Sequence, residues 1–289
     1  MVANDLMRKV LVLTLLAFVS RSHGAILDGL RHYLGGNFYV NDHGAKCDGQ
    51  TDDSEVIMKM WNLACSSDMP SGVVLSYGTY MAGPLTFEGP CKSGITLHLE
   101  GTLRAAPSSL DNLQSQENWV SFSNIDRLTV TGGGTLDGEG ERAWKELDCA
   151  DTGACHSLPV NIQFTNVTNA FVRNITSVDS KMFHINLLNC ENMTFDQILI
   201  NSPLTILNTD GIHVAHSKGI NITNADIKTG TNCVSIVDSQ QINVEKVICG
   251  LGKGINVGGL GRFEDEGSVV GVTVRNCAMN NITGGVVVT

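Results

Sequence analysis

Gly211-Ile212-His213-Val214, Cys233-Val234-Ser235-Ile236 and Gly254-Ile255-Asn256-Val257 repeat one short pattern, in which two β-branched residues flank a polar one. The same phase recurs in His184-Ile185-Asn186-Leu187 and in Gly285-Val286-Val287-Val288. Period-two alternation places Ile and Val on one face of a strand and His213, Ser235 and Asn256 on the other. Successive copies lie roughly 21 to 31 residues apart, the range of solenoid coils. A second strand follows each copy, at Phe171 to Ile175, Met193 to Ile200, Ile220 to Ile227, Ile242 to Ile248 and Val272 to Asn276.

A repeat locked in phase predicts an all-β, right-handed parallel β-helix, in which each coil buries its apolar face on its neighbours and none is stable alone. A β-sandwich shares the strand spacing but has no such fixed phase. Equal phases on successive coils stack about 4.8 Å apart. Asp210, Asn232 and Lys253 stand two places before Ile212, Val234 and Ile255, so they are expected to form one vertical stack with Thr231 beside it.

Outward from the repeat, residues 51–64 read as a short N-terminal capping helix. Asp52 and Glu55 form a candidate capping box, and Val56, Met60, Trp61 and Ala64 form one apolar stripe that would cover the first coil. Further upstream, Arg8-Lys9, the apolar run Val10 to Val19 and the small residues Ser22 and Gly24 predict a signal peptide over residues 1–24. Residues 25–289 are then expected to form one β-helix domain. No later apolar run is long enough to span a membrane, so a secreted protein of the extracellular space or cell wall is expected.

The composition agrees with strands and turns: 42% of residues are hydrophobic, 17% are charged and 31 are Gly. A net charge of -10 without a basic run argues against nucleic acid as a partner. Nine cysteines in a secreted chain suggest disulfides with one residue left over. Close spacing favours Cys149 with Cys155, and Cys65 with Cys91 is a further pairing. Paired CxxC units are absent, so neither a zinc site nor a cofactor is expected. Asn166, Asn174, Asn192, Asn221 and Asn281 begin Asn-x-Thr sequons.

Asn208-Thr209-Asp210-Gly211, Gly230-Thr231-Asn232-Cys233, Gly252-Lys253-Gly254 and the closing Gly285-Val286-Val287-Val288-Thr289 resemble the plant polygalacturonases of glycoside hydrolase family 28, in particular the pollen exopolygalacturonases. Weaker similarity lies in Gly44-Ala45-Lys46 with residues 48–53, in Pro159-Val160-Asn161-Ile162 and in Phe183-His184-Ile185-Asn186. The family reads NTDG, GDDC, GHG and RIK at these four places. Only NTDG is intact. The resemblance implies that Asp210 is the remaining catalytic carboxylate, that Thr231 and Asn232 occupy the positions of two lost aspartates, and that Lys253 occupies that of a histidine. It also implies that His184 lines the cleft, that Cys233 pairs with Cys249, and that the partner is pectin or an oligogalacturonide; against the net charge of -10 such binding must come from local cations such as Lys181, Lys228, Lys253 and Arg262.

Inverting glycosidases need one carboxylic acid to protonate the leaving oxygen and one carboxylate to activate water. Thr231 has no pKa near the working range, and Asn232 keeps the shape of Asp without its basicity. A pectin-binding protein with lost or severely impaired hydrolysis is therefore expected. The alternatives are an active inverting exopolygalacturonase and a nonfunctional product lacking C-terminal coils. A monomer is expected, with self-association at the apolar edge of Val286, Val287 and Val288 as a further expectation.

Overall fold

A computed structural model describes residues 36–107, 116–146, 158–202, 209–258 and 267–289. The signal-peptide residues, Cys149, Cys155, Asn208 and Arg262 lie outside the described residues. The strands pair in parallel throughout and form a 16-stranded sheet and an 8-stranded sheet. Each turn of chain contributes one strand to the smaller sheet and one or two to the larger, giving a parallel β-helix. In the 8-stranded sheet, Val160–Thr165, Ile185–Leu188, Ile212–Ala215, Asn232–Val237, Gly254–Val257 and Gly285–Val288 stack in chain order. Their register brings Ile162, Ile185, Ile212, Val234, Ile255 and Val286 into one inward column. The repeat phases are thus the rungs themselves.

A second inward column starts with aromatic rings and ends with aliphatic ones. Phe87 lies 5.0 Å from Phe122, and Phe122 lies 5.1 Å from Phe164, both stacked. Each such pair adds about 0.5–1.5 kcal/mol beyond its area of burial. Leu187, Val214, Ile236, Val257 and Val288 continue this phase. Its members stay buried until Val288, which is 66% exposed, beside Val286 at 52%.

The opposite end is covered by the α-helix Ser54–Cys65, whose Trp61 ring sits 4.6 Å from Phe87. Its buried stripe is Ile57, Met60, Trp61 and Ala64, so Ile57 replaces the expected Val56. The capping box does not form. The Asp52 carboxylate accepts instead from the backbone N–H and hydroxyl of Ser54, and buried Asp53 accepts from the N–H groups of Lys46 and Cys47. These bonds tie the helix start to the preceding loop.

Corners are made by residues that tolerate the left-handed backbone region. Asn124, Asn166, Asn189, His216 and Asp238 each follow the end of a strand of the 8-stranded sheet, with φ between 41° and 58°. Asn and Asp reach this region at low cost because their short polar side chains bond locally. The Asn166 amide, for example, donates to Asn124 Oδ1 at 3.0 Å. Disulfides join Cys65 to Cys91 and Cys233 to Cys249, as expected. Cys47, Cys190 and Cys277 are free, so more than one thiol is left over.

Candidate functional site

Asp210 lies two residues before the strand Ile212–Ala215, where a corner of the coil enters the 8-stranded sheet. The local chain can pass there because Gly211 has no side chain: a Cβ would meet Ile227 at 2.4 Å and the Cys233 carbonyl oxygen at 2.5 Å. The Gly211 N–H donates to the Asn232 carbonyl, and the Asp210 carbonyl accepts from the His184 N–H at 2.9 Å. Both bonds fix Asp210 against the coils on either side.

Thr231 and Asn232 close over its carboxylate. The Thr231 hydroxyl donates to Asp210 Oδ1 at 2.5 Å, the Asn232 N–H donates to Oδ1 at 3.0 Å, and the Asn232 amide donates to Oδ1 at 3.1 Å and Oδ2 at 3.2 Å. Asp210 is 5% exposed and Thr231 7%. The charge is therefore satisfied by neutral donors and screened from solvent. These donors occupy the carboxylate oxygens that a catalytic water would otherwise approach.

His213, on the strand face opposite the core-facing Ile212 and Val214, packs beside the carboxylate. Its Nδ1 lies 3.9 Å from Asp210 Oδ2, beyond hydrogen-bond distance, and its ring stacks on Phe183 with centroids 4.9 Å apart. Burial lowers its pKa against the opposing pull of Asp210. The sequence signal that could have placed it at the site is its position three residues after Asp210. It also shares the outward row of Asn186, Ser235 and Asn256.

The expected vertical stack is only partly formed. The register between Asn232–Val237 and Gly254–Val257 shifts between Asn232 and Val234, so Asn232 pairs with Gly254. The Lys253 N–H then donates to the Thr231 carbonyl at 2.8 Å, which places Lys253 on the Thr231 rung position and not on that of Asn232. An extra residue on one strand is the physical reason. It is Cys233, held in the core by its disulfide to Cys249. Lys253 is exposed, and with Asn232, Asn256, Thr283, Val287 and Thr289 it lines a cavity of about 400 Å³. Asp210 does not line this cavity.

His184 does not line a cleft. It is fully buried, its Nδ1 2.9 Å from Ser177 Oγ and its Nε2 2.6 Å from Ser202 Oγ. Burial pushes its pKa down to about 3. The side chain turns inward because the coil bends just before Ile185, between serines at the ends of two strands of the other sheet. Lys181 is likewise buried, bonded to the Gly138 carbonyl oxygen and pushed down to about 8 by burial. Lys228 is on the 16-stranded sheet, 3.4 Å from Asp226. Of the four suggested cations, Lys253 alone among the described residues lines the cavity. No group of three or more metal-ligating side chains occurs among the described residues.

Residues 65–288 match the Glycosyl hydrolases family 28. The chain belongs to that family. It is 46% identical over 249 residues to an exopolygalacturonase of Arabidopsis thaliana, covering 86% of this chain and 55% of the relative. It is 45% identical to an exopolygalacturonase of Platanus acerifolia, covering 87% and 66%, and 42% identical to a polygalacturonase of Gossypium barbadense, covering 85% and 60%. The chain thus spans less than two thirds of the length of each of these relatives. Among solved structures, the polygalacturonase of Erwinia carotovora superposes with a TM-score of 0.70 at 24% identity, covering 88% of this chain and 71% of that one. The family 28 exopolygalacturonase of Yersinia enterocolitica gives 0.67 at 15%, covering 87% and 60%. These likenesses confirm the right-handed parallel β-helix.

Proposed function

We propose that this protein binds galacturonan, the acidic chain of pectin, in the extracellular space or cell wall, and has lost hydrolysis of its 1,4-α-galacturonosyl bonds or retains only a severely weakened form. One observation carries the reading: the carboxylate at the family's catalytic position is wrapped by Thr231 and Asn232, while the open cavity beside it is lined by a cation, amides and a hydroxyl. Lys253 supplies a point charge for a uronate carboxylate, and Asn232, Asn256 and Thr283 supply donors and acceptors for sugar hydroxyls. The groups within reach of Asp210 among the described residues are Thr231, Asn232 and His213, none of them a carboxylic acid. Without a general acid the leaving oxygen departs unprotonated, a loss of about 100- to 10,000-fold.

The relatives' names favour a second reading, a working exopolygalacturonase, and the two separate in one assay. Purified protein incubated with polygalacturonate should release reducing ends no faster than a heat-denatured control. Turnover within tenfold of an active relative would overturn the proposal in favour of the enzyme. Binding of polygalacturonate by the same sample, read by co-sedimentation, is expected to persist.

A further inference from the structure

We propose that Asn166, Asn174 and Asn192 are N-glycan attachment sites and that Asn221 is not. The inference rests on the extracellular reading above and on the placement of the sequons, which is independent of any sugar binding.

None of the five sequon asparagines lies in a strand of the 8-stranded sheet. Asn166, Asn174 and Asn192 are exposed and adopt φ of 54°, 50° and 54°, so each sits at a bend in its coil. Two of the three have a glycine as a neighbour on an adjoining coil. A Cβ on Gly133 would lie 3.3 Å from Asn174 Nδ2, and one on Gly219 would lie 2.9 Å from Asn192 Oδ1. The glycine leaves lateral room that any larger side chain would fill. Asn166 and Asn192 each use one amide hydrogen in bonds to Asn124 and Asn169. An N-linked amide retains one hydrogen, so these corner bonds survive the modification.

Asn221 is built differently. Asn174 and Asn192 also fall within strands, Thr168–Val178 and Glu191–Asn201, but at positions the strand register skips, whereas Asn221 in Lys218–Thr223 is half-buried and paired in register with Thr194 on one side and Asn243 on the other. Neighbouring strands lie about 4.8 Å apart, narrower than a pyranose ring with its N-acetyl group, so a sugar there must press on both flanking side chains. Asn166 directly follows Val160–Thr165, at the edge of the 8-stranded sheet opposite to the one that holds Asp210 and Thr231. A six-residue strand separates the two edges by roughly 20 Å. A sugar on Asn166 therefore leaves the cavity lined by Lys253 open.

The test is glycopeptide mapping of the full chain secreted from yeast, once with its own N-terminus and once behind a host leader, after trimming with an endoglycosidase that leaves one sugar on each occupied Asn. Mass tags on the peptides of Asn166, Asn174 and Asn192, with the Asn221 peptide unmodified, are expected. Thr168→Ala, Thr176→Ala and Thr194→Ala each remove one sequon without touching the left-handed Asn, and each should remove one glycan from the intact mass. Thr223→Ala should remove none. Occupancy of Asn221 equal to the others, or bare corner sites in material that carries a glycan elsewhere or none at all, would overturn the proposal. A failed polygalacturonate-binding assay with this glycan map intact would reject the pectin reading alone.

Discussion

Two polar clusters sit on adjacent coils where the chain enters the 8-stranded sheet, joined by the bond from the His184 N–H to the Asp210 carbonyl. The His184 cluster is closed. Its imidazole bridges Ser177 and Ser202, and the Asn161 amide donates to Ser177, all within the buried interior. The Asp210 cluster holds a charge just beneath the surface, and every side-chain or backbone donor to it among the described residues comes from one segment, Thr231 and Asn232. The first arrangement contributes shape and stability. The second is a carboxylate held by neutral donors, an acceptor that organises the corner.

If this contrast is sound, the two clusters respond oppositely to loss of a side chain. His184→Ala takes a hydrogen-bond partner from each of two buried hydroxyls and opens a void, and should lower stability by about 3 kcal/mol. Asp210→Asn retains an acceptor for Thr231 and Asn232 and should change it by less than about 1 kcal/mol. Urea midpoints at neutral pH measure both, and equal losses would erase the distinction. A change in the opposite direction sharpens it. Thr231→Asp with Asn232→Asp places like charges against Asp210, which should lower stability by about 2 kcal/mol at neutral pH. The same pair should restore reducing-end release only in part, since Lys253 still stands at the histidine position.

Acid separates the clusters by about 1–2 kcal/mol. The folded pKa of His184, about 3, lies below its ordinary 6.5, so between these values the unfolded chain holds a proton that the folded chain excludes. Stability therefore rises with pH across that window and falls on acidification from about pH 6.5 to pH 5. Thermal melts of His184→Gln should show a shallower fall than wild type over the same interval. The smallest effect belongs to Lys253, which is exposed. Lys253→Ala should weaken oligogalacturonate binding roughly three- to tenfold at low salt, and less in high salt, with the melting temperature unchanged. Calorimetric titration reads this directly, and binding equal to wild type would remove Lys253 from the site.

The repeat was legible because burial selects residues by a local rule. Inward positions of a strand must be apolar, so Ile212, Val234 and Ile255 announce the coil, its phase and the face that becomes the core. The nearness of Asp210, Thr231 and Asn232 followed from that phase and the disulfide Cys233–Cys249 from the family resemblance, while Cys65–Cys91 was offered only as a further pairing. His184 was misplaced because it precedes its strand by one residue, where alternation alone points it outward; serines 7 and 18 residues away, at positions 177 and 202, draw it in. Lys253 moved by one position because of the register shift at Cys233, which apolar spacing does not encode. The sequence by itself determined the stack of coils, through side-chain alternation along each strand. Only the tertiary structure decided which polar residues at the corners face water, since that depends on how neighbouring coils bend against one another.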